Sequence, residues 1–322
     1  MASFLRTSLH VALAATLLGC SGPGATGAGG AGGAGGDGGS GALFETGPGG
    51  STQVAACKNV DILFVIDDSG SMGDNQESLI SSFPGFVSAI KKGLSGVGSY
   101  HIGVVTTDDY KHNDPACASI GDLVTQTGGV DSSNSVCGPF SSGRRHMDET
   151  EPDLAGSFAC AAKVGVGGAD DERVARALLN AVSPERNAQG ACNEGFSRLD
   201  ALLIAVLITD EDDAPAIDPG CDPNLPPIEC QTHGSGGTSE DWYDELVAAK
   251  GGIHENIVML SLIGEKEDSA CDAVFAKKLL SLTVRFGENG FIGDVCAGSY
   301  DEFFAETLPI IDSACSGYVE PK

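Results

Sequence analysis

Val60-Asp61-Ile62-Leu63-Phe64-Val65-Ile66 runs directly into Asp67-Asp68-Ser69-Gly70-Ser71-Met72. The first stretch is apolar at nearly every position. Side chains of a strand alternate between faces, so such a run predicts a strand covered on both sides, as in the interior of a parallel sheet. Three further runs carry the same mark: His101 to Thr107 (HIGVVTT), Leu202 to Thr209 (LLIAVLIT) and Ile257 to Ile263 (IVMLSLI). Helical spacing follows the first at Asn75 to Lys92, where Pro84 and Gly85 are expected to bend or divide the helix. Helices are also expected at residues 157–163, 171–182, 239–250, 272–281 and 300–313. Strands alternating with helices imply right-handed crossovers. The fold class is therefore α/β, a doubly wound, mostly parallel sheet with helices on both faces. Residues 110–155 read as a loop-rich insertion with an edge strand near Asp122 to Gln126, and residues 214–237 as a second insertion.

Composition narrows the function. The 322 residues are 41% hydrophobic, enough for a sizeable core, so wholesale disorder is excluded. Eighteen Lys and Arg stand against 45 Asp and Glu, a net charge of −27. A chain this acidic repels phosphate backbones, which argues against a nucleic-acid partner. Of the 46 glycines, 15 lie between Ser21 and Gly50. That Gly/Ala/Ser stretch reads as a flexible linker with a root-mean-square reach of about 30 Å.

Ahead of the linker, Arg6 supplies a positive start, and Leu9 to Leu18 is an apolar run too short for a membrane span. The run ends in Leu17-Leu18-Gly19-Cys20, which resembles the lipobox of bacterial lipoproteins. That resemblance implies cleavage before Cys20 and lipidation of its thiol, hence anchorage through acyl chains alone. Ser21 rather than aspartate after the cysteine implies the outer membrane, in a bacterial cell envelope. The expected layout is a signal peptide at 1–19, lipidated Cys20 and linker at 20–56, one domain at 57–316 and a short tail at 317–322.

Eleven cysteines are an odd number, and setting Cys20 aside leaves ten that can pair. Five disulfides suit an oxidising compartment outside the cytoplasm. A cysteine metal site is disfavoured, because no CxxC or HExxH occurs. Cys221 with Cys230 is the expected staple of the proline-rich segment between them, and Cys57 with Cys315 the expected clamp of the domain ends.

Asp67, Ser69 and Ser71 stand where a buried strand gives way to a helix, and this spacing resembles the DxSxS motif of von Willebrand factor type A domains. In that family the motif forms the core of a metal-ion-dependent adhesion site. Two hydroxyls and a carboxylate are hard oxygen donors suited to Mg²⁺, with Mn²⁺ or Ca²⁺ as alternatives. The resemblance further implies an aspartate at the end of a neighbouring strand, and Asp210 of Leu207-Ile208-Thr209-Asp210 matches it. Both strand ends belong at the topological switch point, where open α/β sheets bind ligands. With few carboxylates around it the ion keeps an open position, and the implied partner is a protein presenting an acidic group. One element of the family pattern is missing. The loop Lys163 to Asp171, where a threonine is expected, holds neither threonine nor serine, and Asp170 or Asp171 is the candidate substitute.

Each of these residues has a plainer reading. A serine-rich turn also caps a helix, and an acidic run such as Glu211-Asp212-Asp213 serves a solvated loop or a helix N-terminus. An enzyme is the weaker alternative. An aspartate-nucleophile phosphatase needs Asp-x-Asp where Ser69 stands, and no GxSxG, phosphate loop or HExxH is present. His101 reads as structural or surface, Trp242 and Tyr243 as core, and Arg144-Arg145-His146 as a basic loop open to solvent or to an acidic partner. The competing functions are an adhesion module, a structural envelope lipoprotein with a metal-free site, and a metal-assisted hydrolase built on the acidic loop.

Overall fold

The computed structural model describes residues 57–93, 97–169, 171–214, 224–226, 233–267, 271 and 273–322. The signal peptide, Cys20, the linker, Asp170 and the Cys221–Cys230 pair therefore lie outside the described residues. Six strands form one sheet in the order β3-β2-β1-β4-β5-β6. They are β1 (Asn59–Ile66), β2 (Ser99–Thr106), β3 (Met147–Asp148), β4 (Leu202–Ile208), β5 (Ile257–Ile263) and β6 (Gly290–Asp294). All pairings are parallel except that of β2 with β3. The class is α/β and doubly wound, as the apolar runs imply, and β5 has the limits read from the sequence.

Alternation along β1 divides the core. Val60, Ile62, Phe64 and Ile66 pack on one face, against residues of α1 (Gly73–Gly93), α2 (Leu154–Ala162) and α7 (Asp301–Ser316). Leu63 and Val65 pack on the other, against residues of α3 (Val174–Val182), α5 (Ser239–Ala249) and α6 (Lys277–Val284). A one-turn helix, α4 (Pro184–Asn187), follows α3. Among the described residues no helix is long and apolar enough to cross a membrane.

Four expectations need correction. Pro84 does not divide α1, which runs through it. Phe83 stacks on Phe158 at 3.5 Å between ring centroids and Phe86 on Phe304 at 4.3 Å, so packing on both sides of Pro84 outweighs the lost backbone bond. No strand forms at 122–126. The Asn113 carboxamide accepts from the Thr125 and Gln126 amides and donates to the Leu123 carbonyl, and Asn193 accepts from the Leu123 amide. Side chains thus take several of the bonds that a ladder needs, the Val124 amide keeps a single bond to the Val104 carbonyl of β2 (2.8 Å), and the paired edge beside β2 is Met147–Asp148. The helix expected from residue 272 begins at Lys277, because the Val274 amide is held by the Asp210 carbonyl (2.7 Å). The helix expected from Asp171 begins at Val174.

Among the described residues four disulfides join Cys57 to Cys315, Cys117 to Cys192, Cys137 to Cys160 and Cys271 to Cys296. The expected clamp of the domain ends is present, and the second and third bonds tie down the loop-rich insertion.

Candidate functional site

Strand register brings the two acidic motifs together. β1 pairs with β4 from Val60 opposite Leu202 to Ile66 opposite Ile208. Asp67 and Thr209 thus leave the sheet side by side, and Asp210 follows directly. β1 connects onward to β2 on one side, while β4 lies on its other side. The crevice between their carboxyl ends is the switch point of the sheet.

Asp67 is fully buried. Its Oδ1 accepts the Ser69 amide at 2.7 Å, and its Oδ2 accepts the Thr209 hydroxyl at 2.6 Å. Each carboxylate oxygen can accept more than one bond, so both retain capacity toward a cation. Gln76, buried in the first turns of α1, donates to the carbonyls of Asp67 (3.0 Å) and Gly165 (2.9 Å) and accepts from the Gly165 amide (3.1 Å). This side chain, which no motif in the sequence singles out, fixes the loop before α3 against the end of β1. Gly168 completes the contact, its amide donating to the Asp68 carbonyl at 2.7 Å. A Cβ at Gly168 would lie 2.7 Å from the Asp68 side chain, so only glycine permits this approach.

The site holds several buried oxygens with no hydrogen-bond partner among the described residues. They are Ser69 Oγ, Asp210 Oδ1, Asp68 Oδ1, Asp108 Oδ1 and both carboxylate oxygens of Glu172. Ser71, in contrast, is exposed at the mouth of the turn. Burial, with the nearby Asp210 charge adding to it, pushes the Asp67 carboxyl up to about 6. Burial followed by Asp108 and Asp67 takes Asp68 up to about 8. Glu172 is pushed up to about 10 by burial, then by Asp67, against a smaller opposing pull from the Thr107 hydroxyl. A carboxyl is displaced this way when water is gone and no counter-charge has replaced it. A cavity of about 240 Å³ opens alongside, lined by Asp68, Asp108, Tyr110, Lys111, His112 and Gly168 among others.

Among the described residues no three His, Cys, Asp or Glu side chains are grouped closely enough to hold a metal by themselves. A cation here would depend on the serine hydroxyls, the Asp67 and Asp210 carboxylates and water. The donor chemistry fits a hard divalent ion: all oxygen, mostly buried, and partly without partners.

The rest of the acidic run is structural. Asp212 accepts the Lys278 and Leu279 amides at the start of α6. Asp213, fully buried, accepts the Ala175 amide of α3 and the Ser235 amide. Asp171 faces Arg173 at 3.8 Å and is not buried in the site. The basic loop is engaged within the chain. Arg144 pairs with Glu194, Arg145 reaches Asp114 (3.3 Å), and His146 is buried against the His101 ring at 4.1 Å. Burial, then His101, pushes the His146 imidazole down to about 3. Trp242 is core and donates to the Gly236 carbonyl.

No protein-family model and no curated protein matches the chain. Solved structures similar to it include proximal thread matrix protein 1 from the mussel byssus, 14% identical over 81% of this chain and 49% of that one, TM-score 0.42. The pilus adhesin SpaC from Lactobacillus rhamnosus GG is 14% identical over 79% of this chain and 30% of its own, TM-score 0.37. The pilus adhesin RrgA from Streptococcus pneumoniae is 15% identical over 52% of this chain and 22% of its own, TM-score 0.23. The chain thus spans about half of the first of these proteins and less than a third of the other two.

Proposed function

We propose that the chain is a cation-dependent protein-binding module of the von Willebrand factor type A kind, anchored to the bacterial outer membrane through lipid on Cys20. Asp67, Ser69, Ser71 and Asp210 hold Mg²⁺, with Mn²⁺ or Ca²⁺ as alternatives. An acidic group of a protein partner completes the shell. The observation that supports this most is the set of buried, unpartnered oxygens, Ser69 Oγ and Asp210 Oδ1, flanking buried Asp67 at the switch point. Burying polar oxygens without partners costs of order 1–3 kcal/mol each, a cost that an ion would offset. In this reading the open position of the ion is taken by the partner's acidic group, a binding role.

Calorimetric titration of the full-length chain with Mg²⁺ and Mn²⁺ tests it. Saturable binding that disappears in Asp67→Ala is expected. Heat identical in wild type and variant would overturn it. A second reading, a structural envelope protein with a cation-free site, draws on the lack of any self-sufficient metal-holding group among the described residues. Silence with both ions selects that reading.

A further inference from the structure

On the β2 side of Asp67 a second pair of acids shares one cavity. Asp68 is 3% exposed and Asp108 9%. Each keeps one carboxylate oxygen, Oδ1, with no hydrogen-bond partner among the described residues. Nearby positive groups are directed elsewhere: Arg173 faces Asp109 (3.6 Å) and Asp171 (3.8 Å), and Lys111 is exposed. A buried carboxylate without a counter-charge is costly unless it holds a proton or meets a cation.

Strand register brings the two acids to the same level. β1 and β2 pair from Asn59 opposite Ser99 to Ile66 opposite Thr106, so Asp68 and Asp108 each stand two residues past the last pair. Consecutive amides of the loop before α3 then bridge them. Gly168 donates to the Asp68 carbonyl (2.7 Å), and Ala169 donates to Asp108 Oδ2 (2.9 Å). Both acids line the 240 Å³ cavity, together with Tyr110, His112 and the backbone of 167–169. Tyr110 spends its hydroxyl on the Val164 carbonyl, so it offers the cavity its ring, and the His112 ring stands 5.7 Å from it at 68°.

The volume falls below the roughly 300–1,000 Å³ that holds a drug-sized ligand, which suits one side chain or a small organic ion. No three metal-ligating side chains are grouped among the described residues, whereas two carboxylates beside aromatic rings match a guanidinium. That group is planar and weakly hydrated, donates as a fork to carboxylates and stacks on rings. We propose that this cavity, at the ends of β1 and β2, binds a guanidinium group, ion-paired with Asp68 and Asp108 and flanked by Tyr110 and His112. The inference goes beyond the divalent-cation reading and does not depend on it. An arginine side chain of a partner and a free alkylguanidine share this chemistry.

Calorimetric titration of the full-length chain in excess chelator tests it, with Nα-acetyl-arginine amide, n-butylguanidine and Nα-acetyl-citrulline amide as probes. Citrulline keeps the shape of arginine without its charge. Both guanidinium probes are expected to bind saturably, and the citrulline probe at least about tenfold more weakly. Tighter binding of the blocked arginine names a partner's side chain as the source, and tighter binding of n-butylguanidine names a free ligand. Asp108→Asn, whose carboxamide oxygen still accepts from Ala169, is expected to weaken both at least about tenfold. Lys111→Gln, which removes an exposed competing charge, is expected to bind them about twofold tighter or more. No saturable binding of either guanidinium probe, citrulline binding as well as arginine, or unchanged affinity in Asp108→Asn would each overturn the proposal. Asp68→Asn replaces Asp108→Asn if the latter does not fold, and the citrulline comparison needs no variant. With metal chelated throughout, none of these outcomes bears on the Mg²⁺ titration above.

Discussion

The two ends of β1 each bury an aspartate, and the fold treats them in opposite ways. At the start of the strand, fully buried Asp61 is gripped by Arg198. The Arg198 backbone amide donates to Oδ2 at 2.6 Å, its Nε to Oδ1 at 2.8 Å, and its Nη2 lies 2.7 Å from the same Oδ1. Burial pushes Asp61 up, and Arg198 and then Lys250 pull it back. At the far end, Asp67 receives one amide and one hydroxyl, and the charged neighbour that bears on it is the acidic Asp210. A buried charge answered within the chain is part of the architecture. A buried carboxyl left unanswered is where the proposed cation would sit.

The largest effect that separates these two ends is expected from Arg198→Ala. Removing one partner of a buried ion pair typically costs about 3–5 kcal/mol, to be read from chemical denaturation. A loss below about 1 kcal/mol would mean that Asp61 is not held by this pair, and the contrast would dissolve. Lys250 gives the next. It is fully buried, donates to the Arg198 carbonyl at 2.5 Å, and burial pushes its ammonium down from 10.5 to about 8. Between those values the unfolded chain holds a proton that the folded chain has released, so stability rises as pH rises through this window. The gain is about 3 kcal/mol at 1.36 kcal/mol per pKa unit. Lys250→Met should flatten that slope, and an equal slope in both proteins would place its source elsewhere. The smallest effect belongs to the unanswered end. The Ser69 hydroxyl is buried with no hydrogen-bond partner among the described residues, so Ser69→Ala should raise metal-free stability, by about 1 kcal/mol at the low end of the cost of such an oxygen, while weakening Mn²⁺ binding about tenfold. A loss of stability would show the hydroxyl to be structural.

The sheet is legible in the sequence wherever a strand is buried on both faces, because burial there leaves an uninterrupted apolar run. β1, β4 and β5 declare themselves in this way. β6, Gly290–Asp294, is a half-buried edge whose sequence GFIGD carries no such run, and periodicity gives no hint of it. The edge beside β2 is misread from sequence because Asn113 and Asn193 bond the backbone of 123–126 from a distance along the chain that periodicity cannot register. At the site, the pairing of Asp67 with Asp210 is what the resemblance of their motifs implies, since periodicity alone does not say which strands are neighbours. The burial of Glu172 is not legible, because in the run Asp170-Asp171-Glu172 three acids look alike. Only packing separates the buried one from Asp171, which turns to Arg173.

The Cys57–Cys315 bond has a mechanical consequence. It fixes the start of β1 to the last helix, while Asp67 stands at the other end of the same strand. A pull between the chain before Cys57 and anything gripped at Asp67 runs along β1, which is laced to β2 on one side and β4 on the other. Such a load is carried by the covalent backbone of β1, held straight by a ladder on each side, and the sulfur bridge passes part of it to α7.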